Sequence, residues 1–514
     1  MCFPPRERAM AGVIRGAGEP VAPGEPRIWD DATTTEAFPG ATAPLVFTLA
    51  AGIHGRVCRE YARSLGVPAD QLAQTDAWTP YLLGSFHGRV YLDLLHWYRL
   101  AAIAPGQRLN RRGLEAVLGA ADPLLDEIAE TLRPFTFESG ARRVRSRART
   151  TAAFVHRALR TESMMREFRT EFGRVCDRYE ATDYRHGEHA YAEYRRLDRE
   201  LVLLWGPVTV LDALALILTG AVVALTEAYL PEAPASFRYV ALRPPADIGS
   251  PGASETPAVG EPVVTGEDPD AYLDRMLSGP RRWLYDLVRV RAARCAAHRD
   301  TIRSSRTRAA GLAEAMIRVM ADDLAGRAIL RESADIRYLT AGELRDCYDR
   351  VPIPDLQARI AARKAAHAAG ELSAPVRFST EGPDFSDGEL AEQGWTPRAR
   401  IAAAHDGEVL TGTASAAGVA EGAAVVVDRS GDPAPGVLVT ESADPHWVAA
   451  LPSASALVIE HGGPLTAVAT VARALGVPTV VRVPGCTAKL RTGMRLRVDG
   501  SAGTVTVLSG VGRR

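Results

Sequence analysis

The apolar pattern of the sequence changes its period near residue 401. Before that point, residues 38–364 hold long segments with apolar side chains three or four positions apart, the spacing of a helix that buries one face. After it come short β-branched runs separated by glycine turns, among them AAVVV, GVLVT, ALVIE and PTVVRV. The sequence therefore predicts an α+β multidomain chain, with a large mainly α domain followed by a small β/α domain.

Four segments follow from this pattern. We expect a loose N-terminal tail over residues 1–37, the mainly α domain over 38–364, a linker over 365–400 that is rich in Gly, Pro, Ser and acidic residues, and the β/α domain over 401–514. The clearest predicted helices lie at residues 114–132, 190–204, 283–298 and 308–324, with one short helix at 466–475 in the second domain.

Composition limits the class of protein. The chain has 514 residues, a net charge of −1 and 46% hydrophobic residues, so it is long enough for several cores and has no basic excess that would suggest nucleic-acid binding. Its cysteines contain no CxxC pair, which favours a reduced, cytoplasmic protein without a structural zinc. The apolar stretch at 201–230 is interrupted by Gly206, Pro207 and Asp212, so we predict a buried core helix rather than a membrane span.

The second domain contains the segment EHGGPLTAVATVARALGVP at residues 460–478. Gly462 and Gly463 allow a sharp turn onto the N-terminus of the predicted helix, whose free N–H groups favour an anion. Thr466 and Arg473 complete this candidate anion-binding turn. The alternative is that these four residues only preserve the turn.

This segment resembles the phosphohistidine signature of the PEP-utilising enzymes, the family of phosphoenolpyruvate synthase and rifampin phosphotransferase. The resemblance extends to FPGATAPLVFTLA at 38–50, GSFHGRVYLDLLHWYRLAAIAPGQRLNRR at 84–112, WGPVTVLDALALILTG at 205–220 and ADIRYLTAGEL at 334–344. It implies that the first domain binds substrate and that the second is a swivelling domain that carries a phosphoryl group on histidine.

Two departures from the family pattern bear on activity. The position that the resemblance assigns to the phosphohistidine is Ala467, and a methyl group cannot accept a phosphoryl group. His461 lies upstream of the glycine turn, where we expect an exposed loop histidine. The sequence ahead of residue 38 also has no glycine-rich phosphate loop or magnesium-binding carboxylates of the family's ATP-grasp domain, so we expect no cofactor and no metal, and ATP binding would need a separate subunit.

A candidate acid/base pair lies in the second block of resemblance. If residues 92–100 are helical, the three-residue spacing places Asp93 and His96 on one face, where the carboxylate can orient the imidazole. The alternative is an ordinary surface pair. The nearby side chains that could supply an anion contact and an aromatic wall for a large organic substrate, or else belong to the core, are Arg89, Tyr91, Trp97 and Arg99.

Asp212 is a third candidate, because a lone carboxylate in an apolar stretch has a raised pKa unless it is paired. It is either an acid or a packing residue bonded to an arginine such as Arg299. The arginines along residues 289–308 form either a solvated face or a stripe that faces an anion.

Three functions remain open from the sequence. The first is a diverged enzyme of specialised metabolism that acts on a sizeable small molecule by elimination or cyclisation, with Asp93, His96 and Asp212 as working groups. The second is a non-catalytic pseudoenzyme that binds a small molecule or a paralogous subunit. The third is residual phosphotransfer through another histidine such as His461, loaded by a separate ATP-binding chain.

Overall fold

The structure, a computed structural model, describes residues 13–15, 26–38, 40–119, 132–233, 269–368, 372–381, 387–427 and 435–509. It has the predicted α+β organisation, with a mainly helical region followed by an eight-stranded mixed sheet. The helices in chain order are α1 Pro44–Ser64, α2 Ala69–Thr75, α3 Leu94–Ala101, α4 Gln107–Leu118, α5 Gly140–Leu159, α6 Thr161–Glu180, α7 Gly187–Val208, α8 Val210–Tyr229, α9 Pro269–Met276, α10 Gly279–Gly326, α11 Ala341–Tyr348, α12 Leu356–Ala368, α13 Asp387–Glu392, α14 Ala467–Ala474 and α15 Cys486–Lys489.

The helical region is organised around long helices that bury one face each. Helices α1, α6, α7 and α10 contribute most of a single apolar core, and α8 packs against α4 and α10. The predicted helices at 190–204, 283–298 and 308–324 lie inside α7 and α10, which confirms them. The predicted helix at 114–132 is helical only to Leu118, and its residues 120–131 lie outside the described residues.

Helices α7 and α8 together form the stretch Gly187–Tyr229, which is long and apolar enough to cross a membrane by length and composition. Within its most apolar window, 50% of the residues are buried inside the structure. The core helix of a soluble protein passes the same test, so this finding is weak support for a membrane span.

A five-stranded antiparallel sheet joins segments far apart in the chain. Its strands, in the order β1-β3-β4-β2-β6, are β1 Val13–Arg15, β3 Leu83–Phe86, β4 Arg89–Asp93, β2 Pro26–Asp30 and β6 Arg377–Glu381. Two segment predictions are wrong here. Part of the predicted tail forms β2 in the interior of the sheet, and part of the predicted linker forms β6, which pairs with β2 along its full length.

The C-terminal domain is built on the eight-stranded sheet. Its strands, in the order β8-β15-β14-β10-β11-β12-β13-β9, are β8 Val409–Thr411, β15 Thr504–Ser509, β14 Arg495–Asp499, β10 Val419–Val427, β11 Gly436–Ser442, β12 Ala454–His461, β13 Thr479–Val481 and β9 Thr413–Ala416. Strands β10 to β13 run parallel, and separate apolar cores cover the two faces of the sheet. A two-stranded ribbon of β5 Leu372–Ser373 and β7 Thr396–Pro397 lies in the segment predicted as linker.

Candidate functional site

The candidate pair Asp93 and His96 lies where β4 passes into α3. Asp93 is the N-cap of the helix rather than part of it, which corrects the prediction that both residues share a helical face. Its Oδ1 accepts the backbone N–H of His96 at 3.2 Å, and its Oδ2 lies 2.6 Å from His96 Nδ1. The side chains are 0% and 2% exposed, so the pair is buried and is not the surface pair that was the alternative.

Arg27 from β2 completes this cluster, although the sequence placed it in the tail. Its Nη1 lies 2.5 Å from Asp93 Oδ2 and 2.8 Å from His96 Nδ1. Burial by itself would raise the pKa of Asp93, but the contacts with His96 and Arg27 outweigh it and hold the pKa below its usual value. Asp93 is therefore an ionised carboxylate inside the fold.

The opposite ring nitrogen of His96 faces Arg99. Arg99 Nη1 lies 3.3 Å from His96 Nε2, and Arg27 Nη1 lies 3.4 Å from the same nitrogen. When Nδ1–H donates to Asp93, Nε2 accepts from these arginines, and Arg27 bonds the Asp93 carboxylate rather than Nδ1. Trp78 stacks on the imidazole with ring centroids 6.2 Å apart. The arrangement is a buried imidazole held between a carboxylate and the half-buried Arg99.

Trp97 connects this cluster to a second one. The indole is half-buried, packs against two apolar cores and lies 5.5 Å from the ring of His54 on α1. His54 in turn is 3.8 Å from Cys58 Sγ, one helical turn further along. Burial lowers the pKa of His54 to about 4 and raises that of Cys58 to about 12, so both side chains are neutral near pH 7.

Asp212 lies at the start of α8 and is paired. Its Oδ1 accepts a hydrogen bond from Arg299 Nε at 2.8 Å, and Arg306 lies 3.9 Å from Oδ2. The partner that the sequence suggested is therefore the one that Asp212 bonds. No described contact joins Asp212 to Asp93 or His96, so the three working groups do not form one cluster.

The other two side chains proposed to line the site lie elsewhere. Arg89 forms a salt bridge with Glu441 in the C-terminal domain. Tyr91 is 0% exposed, donates its hydroxyl to the carbonyl of Pro375 at 2.8 Å and packs edge to face against Phe378. Tyr91 is therefore a core residue, and Arg89 is a contact between the two parts of the chain.

The glycine turn leads onto α14 as the sequence predicts, and it lies against the helical region. Gly462 has a φ of +136°, and Gly463 donates its N–H to the carbonyl of Ala32 at 2.8 Å. A Cβ on Gly463 would lie 2.7 Å from the carbonyl oxygen of Val117. Glycine is thus needed here for close approach of two backbones, and the anion-binding role stays a prediction.

The side chains of Thr466 and Arg473 donate hydrogen bonds to backbone carbonyls in this turn and beside it. The Thr466 hydroxyl donates to the carbonyl of Gly463 at 2.9 Å, and Arg473 donates to the carbonyls of Pro464 at 2.6 Å and Ser415 at 3.0 Å. These contacts support the alternative in which both side chains preserve the turn.

A carboxylate from the helical region already lies at the N-terminus of α14. Glu36 Oε1 accepts the backbone N–H of Ala467, and its other oxygen is 3.2 Å from Arg303 Nη1 on α10. A negative charge is favourable at the N-terminal end of a helix. Arg303, one of the predicted arginine series on α10, therefore pairs with the carboxylate that lies at the N-terminus of α14.

His461 is buried at the end of β12, so the prediction of an exposed loop histidine is wrong. Its exposure is 0%, and its Nδ1 lies 2.6 Å from Oδ2 of Asp31, which follows β2 in the other part of the chain. Burial would lower the pKa of His461, but Asp31 and Glu460 outweigh it and raise the pKa above its usual value. The imidazole therefore forms one of the polar contacts between the two parts of the chain.

Comparison with known proteins gives a family and several relatives. Residues 432–503 match the PEP-utilising enzyme mobile domain. The chain is 36% identical over 196 residues to rifampicin phosphotransferase of Streptomyces sviceus, covering 37% of this chain and 21% of the relative. It is 43% identical over 110 residues to phosphoenolpyruvate synthase of Aeropyrum pernix, covering 20% of this chain and 13% of that protein.

The chain is therefore similar to PEP-utilising enzymes, and its residues 432–503 match their mobile domain. Its matches span only about a fifth of the length of the rifampicin phosphotransferases, including the one from Bacillus cereus at 34% identity. The similarity is most direct for the mobile domain over residues 432–503.

Buried ion pairs dock this mobile domain on the five-stranded sheet. Arg482 of the mobile domain donates to both carboxylate oxygens of Asp30, at 3.1 and 3.0 Å, and Arg377 of β6 donates to the same carboxylate at 2.8 Å. Arg482 has a φ of +58°, an uncommon value for a residue with a side chain. Such strain persists only where the surroundings hold the residue in place.

Sequence reasoning missed five residues that organise these contacts. The sequence signal for the three acidic ones is IWDDATTTE at residues 28–36, a short apolar alternation followed by an acidic run, inside the segment predicted as the tail. Among the described residues, no group of three or more His, Cys, Asp or Glu side chains could hold a metal ion. The missed residues are Arg27, Asp30, Asp31, Glu36 and Arg482.

Proposed function

We propose that this chain is a diverged PEP-utilising-family enzyme that binds a sizeable, partly apolar small molecule in its helical region and acts on it by proton transfer. Elimination and cyclisation need a positioned acid or base and no phosphoryl intermediate. The observation that carries the proposal is the Asp93–His96 contact of 2.6 Å, with Arg27 bonded to the same carboxylate.

Each residue has a defined role in this proposal. Asp93 holds the imidazole by its Nδ1–H, and His96 Nε2 takes a proton from the substrate. It then passes that proton to the leaving group in an elimination, or to the newly formed ring in a cyclisation. Arg99 leaves Nε2 when the substrate enters and binds an anionic group on it, while Trp97 supplies an apolar wall. Asp212 acts only as a packing residue, since Arg299 neutralises it.

Phosphohistidine chemistry is not part of the proposal, because the corresponding position is Ala467 by resemblance. His461 does not replace it, since burial and the contact with Asp31 keep its imidazole away from solvent. ATP binding, a separate ATP-binding subunit and a cytoplasmic location stay open as expectations from the family resemblance.

The test measures conversion of a metabolite extract by the purified full chain, with mass spectrometry of the products formed in D₂O. We expect a depleted metabolite, whose product carries solvent deuterium where cyclisation returns a proton to carbon and none where elimination passes it to a leaving group. Conversion should fall by about 100-fold or more in His96→Ala, the range of general acid–base catalysis. His405→Ala is the matched control, because His405 is exposed. Full conversion by His96→Ala would show that the Asp93–His96 pair takes no part in the reaction.

A second candidate, a non-catalytic pseudoenzyme, is favoured by one observation. Glu36 bonds the N–H of Ala467, so the chain's own carboxylate lies at the helix start to which the resemblance assigns phosphoryl transfer. This function predicts saturable binding of a metabolite without conversion. Intact-protein mass measurement with ATP or phosphoenolpyruvate and magnesium separates both candidates from residual phosphotransfer, which alone predicts gain of a phosphoryl group.

A further inference from the structure

Helix α5 exposes an apolar stripe to solvent. The stripe consists of Val144, Ala148, Ala152, Val155 and Leu159, spaced by four, four, three and four residues. All five side chains are exposed, and the fractions for the three large ones are 70% for Val144, 48% for Val155 and 82% for Leu159. This spacing places the residues on one side of a helix, as in the contact seam of paired helices.

The stripe is separate from the face by which α5 joins the fold. That face carries Ser146, Thr150 and Phe154, which are buried. Ser146 donates to Gln71 at 2.9 Å, and Phe154 is 4% exposed within the main helical core. The 3.6-residue repeat puts the α5 stripe on the opposite side of the helix, so its exposure leaves a second apolar face without cover among the described residues.

One edge of the α5 stripe is cationic. Arg145 and Arg149 are exposed, lie one turn apart and make no salt bridge with any residue that the structure describes. Arg142 on the same side is already paired with Asp70 at 3.1 Å. An exposed apolar seam bordered by arginines that no described carboxylate pairs is complementary to a helix that has an apolar seam and acidic borders.

We propose that the α5 stripe and its arginine edge dock an acidic amphipathic helix of another protein. The charges disfavour a second copy of this chain, because two-fold antiparallel pairing of α5 would set arginine edge against arginine edge. The composition disfavours a membrane, because interfacial helices bury Trp, Phe and Leu, whereas this stripe has two alanines and no aromatic residue.

The experiment uses the full chain and a synthetic helix of about 28 residues with a Leu/Ala seam and glutamate borders. We expect saturable binding by titration calorimetry, weakened about tenfold or more in Arg145→Glu/Arg149→Glu and in Val155→Ser/Leu159→Ser. A second peptide with lysine borders should bind the arginine-reversed variant better than the original chain. Arg291→Glu/Arg294→Glu is the matched control, because both arginines are exposed on α10.

Each other outcome overturns the proposal. Equal binding of the acidic peptide by the arginine-reversed variant would show that contact occurs elsewhere. Sedimentation of the chain as a dimer that Leu159→Ser dissociates would make the stripe a self-association face. Binding to vesicles with anionic lipid but not to either peptide would make it a membrane contact. Circular dichroism of every variant separates loss of docking from loss of folding.

Discussion

Two carboxylates that the sequence presents alike have opposite surroundings in the fold. Asp93 is fully buried and is bonded to an arginine and a histidine, whereas the side chain of Asp212 is 33% exposed beside Arg299. Removing one partner of a buried pair leaves an uncompensated charge, but an exposed pair contributes little. The same substitution should therefore have different costs at the two positions.

We expect Asp93→Asn to lower the free energy of unfolding by about 3–5 kcal/mol, because it leaves Arg27 buried without its anionic partner. Asp212→Asn should lower it by about 1 kcal/mol or less. Urea unfolding followed by far-UV circular dichroism measures both, and Asp183→Asn, which loses an exposed pair with Arg185, is a further control. Equal costs for Asp93 and Asp212 would contradict the role given to the buried cluster.

The residue-level predictions succeeded where the contact is local. Asp93 and His96 are three positions apart, so their proximity follows from chain geometry, and the Asp212–Arg299 pair follows from the need of an embedded carboxylate for a cation. Arg27 lies 66 positions from Asp93, and no local pattern indicates that contact. Its strand must first be placed in the sheet, and that placement depends on tertiary pairing.

At the scale of elements, the N-terminus of α14 in the C-terminal domain contacts a carboxylate from the N-terminal part of the chain. Glu36 contributes a negative charge there, and Arg303 neutralises part of it from the side. A carboxylate near a helix N-terminus contributes about 0.3–1 kcal/mol. This contribution belongs to the docked arrangement, because Glu36 is not part of the mobile domain.

We expect Glu36→Gln to speed amide hydrogen exchange in the first turn of α14, because the side chain keeps its shape but loses its charge. The increase should correspond to about 0.3–1 kcal/mol, or up to about fivefold in exchange rate. Exchange followed by mass spectrometry of peptides covering 464–472 gives the measurement. Glu421→Gln, an exposed change on β10 of the C-terminal domain, should leave these peptides unaltered. Unchanged exchange in Glu36→Gln would indicate that the contact does not persist in solution.

Elements with a strong period were predictable, and elements defined by their partners were not. The long helices and the strands of the mobile domain follow from apolar spacing in the sequence. Strand β2 is followed by an acidic run, and its partner β6 is about 350 positions away in a segment without clear alternation. A strand of this kind is stabilised by pairing rather than by its own composition.

At the scale of the whole molecule, buried polar contacts fix how the mobile domain lies against the rest of the described chain. Asp30 forms salt bridges with Arg482 and Arg377, and Asp31 pairs with His461. All three partners come from segments distant in sequence. Buried ion pairs contribute little net stability, since desolvation offsets their attraction, but a displaced domain would leave each charge without its partner. Such pairs therefore specify one relative position of the two regions.

This arrangement should depend on pH through His461. Asp31 and Glu460 raise the pKa of His461 in the docked fold, against burial and against the charge of Arg89. A group with a raised pKa contributes its full stabilisation below the ordinary value of about 6.5, and this contribution is lost as pH rises through the raised pKa. Glu460 has a pKa lowered to about 2, because its contacts with His461 and Thr487 outweigh burial, so it stays ionised and adds no slope there.

We therefore expect docking of the mobile domain to weaken between pH 6 and pH 9. Small-angle scattering should give a larger radius of gyration at pH 9, and peptides covering 457–463 should exchange amide hydrogens faster after correction for the intrinsic rate. Asp31→Asn removes the carboxylate that favours the charged imidazole, so it should reduce the difference between the two pH values, whereas Asp406→Asn on an exposed turn should not. A scattering profile of the original chain that is the same at both pH values would mean that His461 does not control docking.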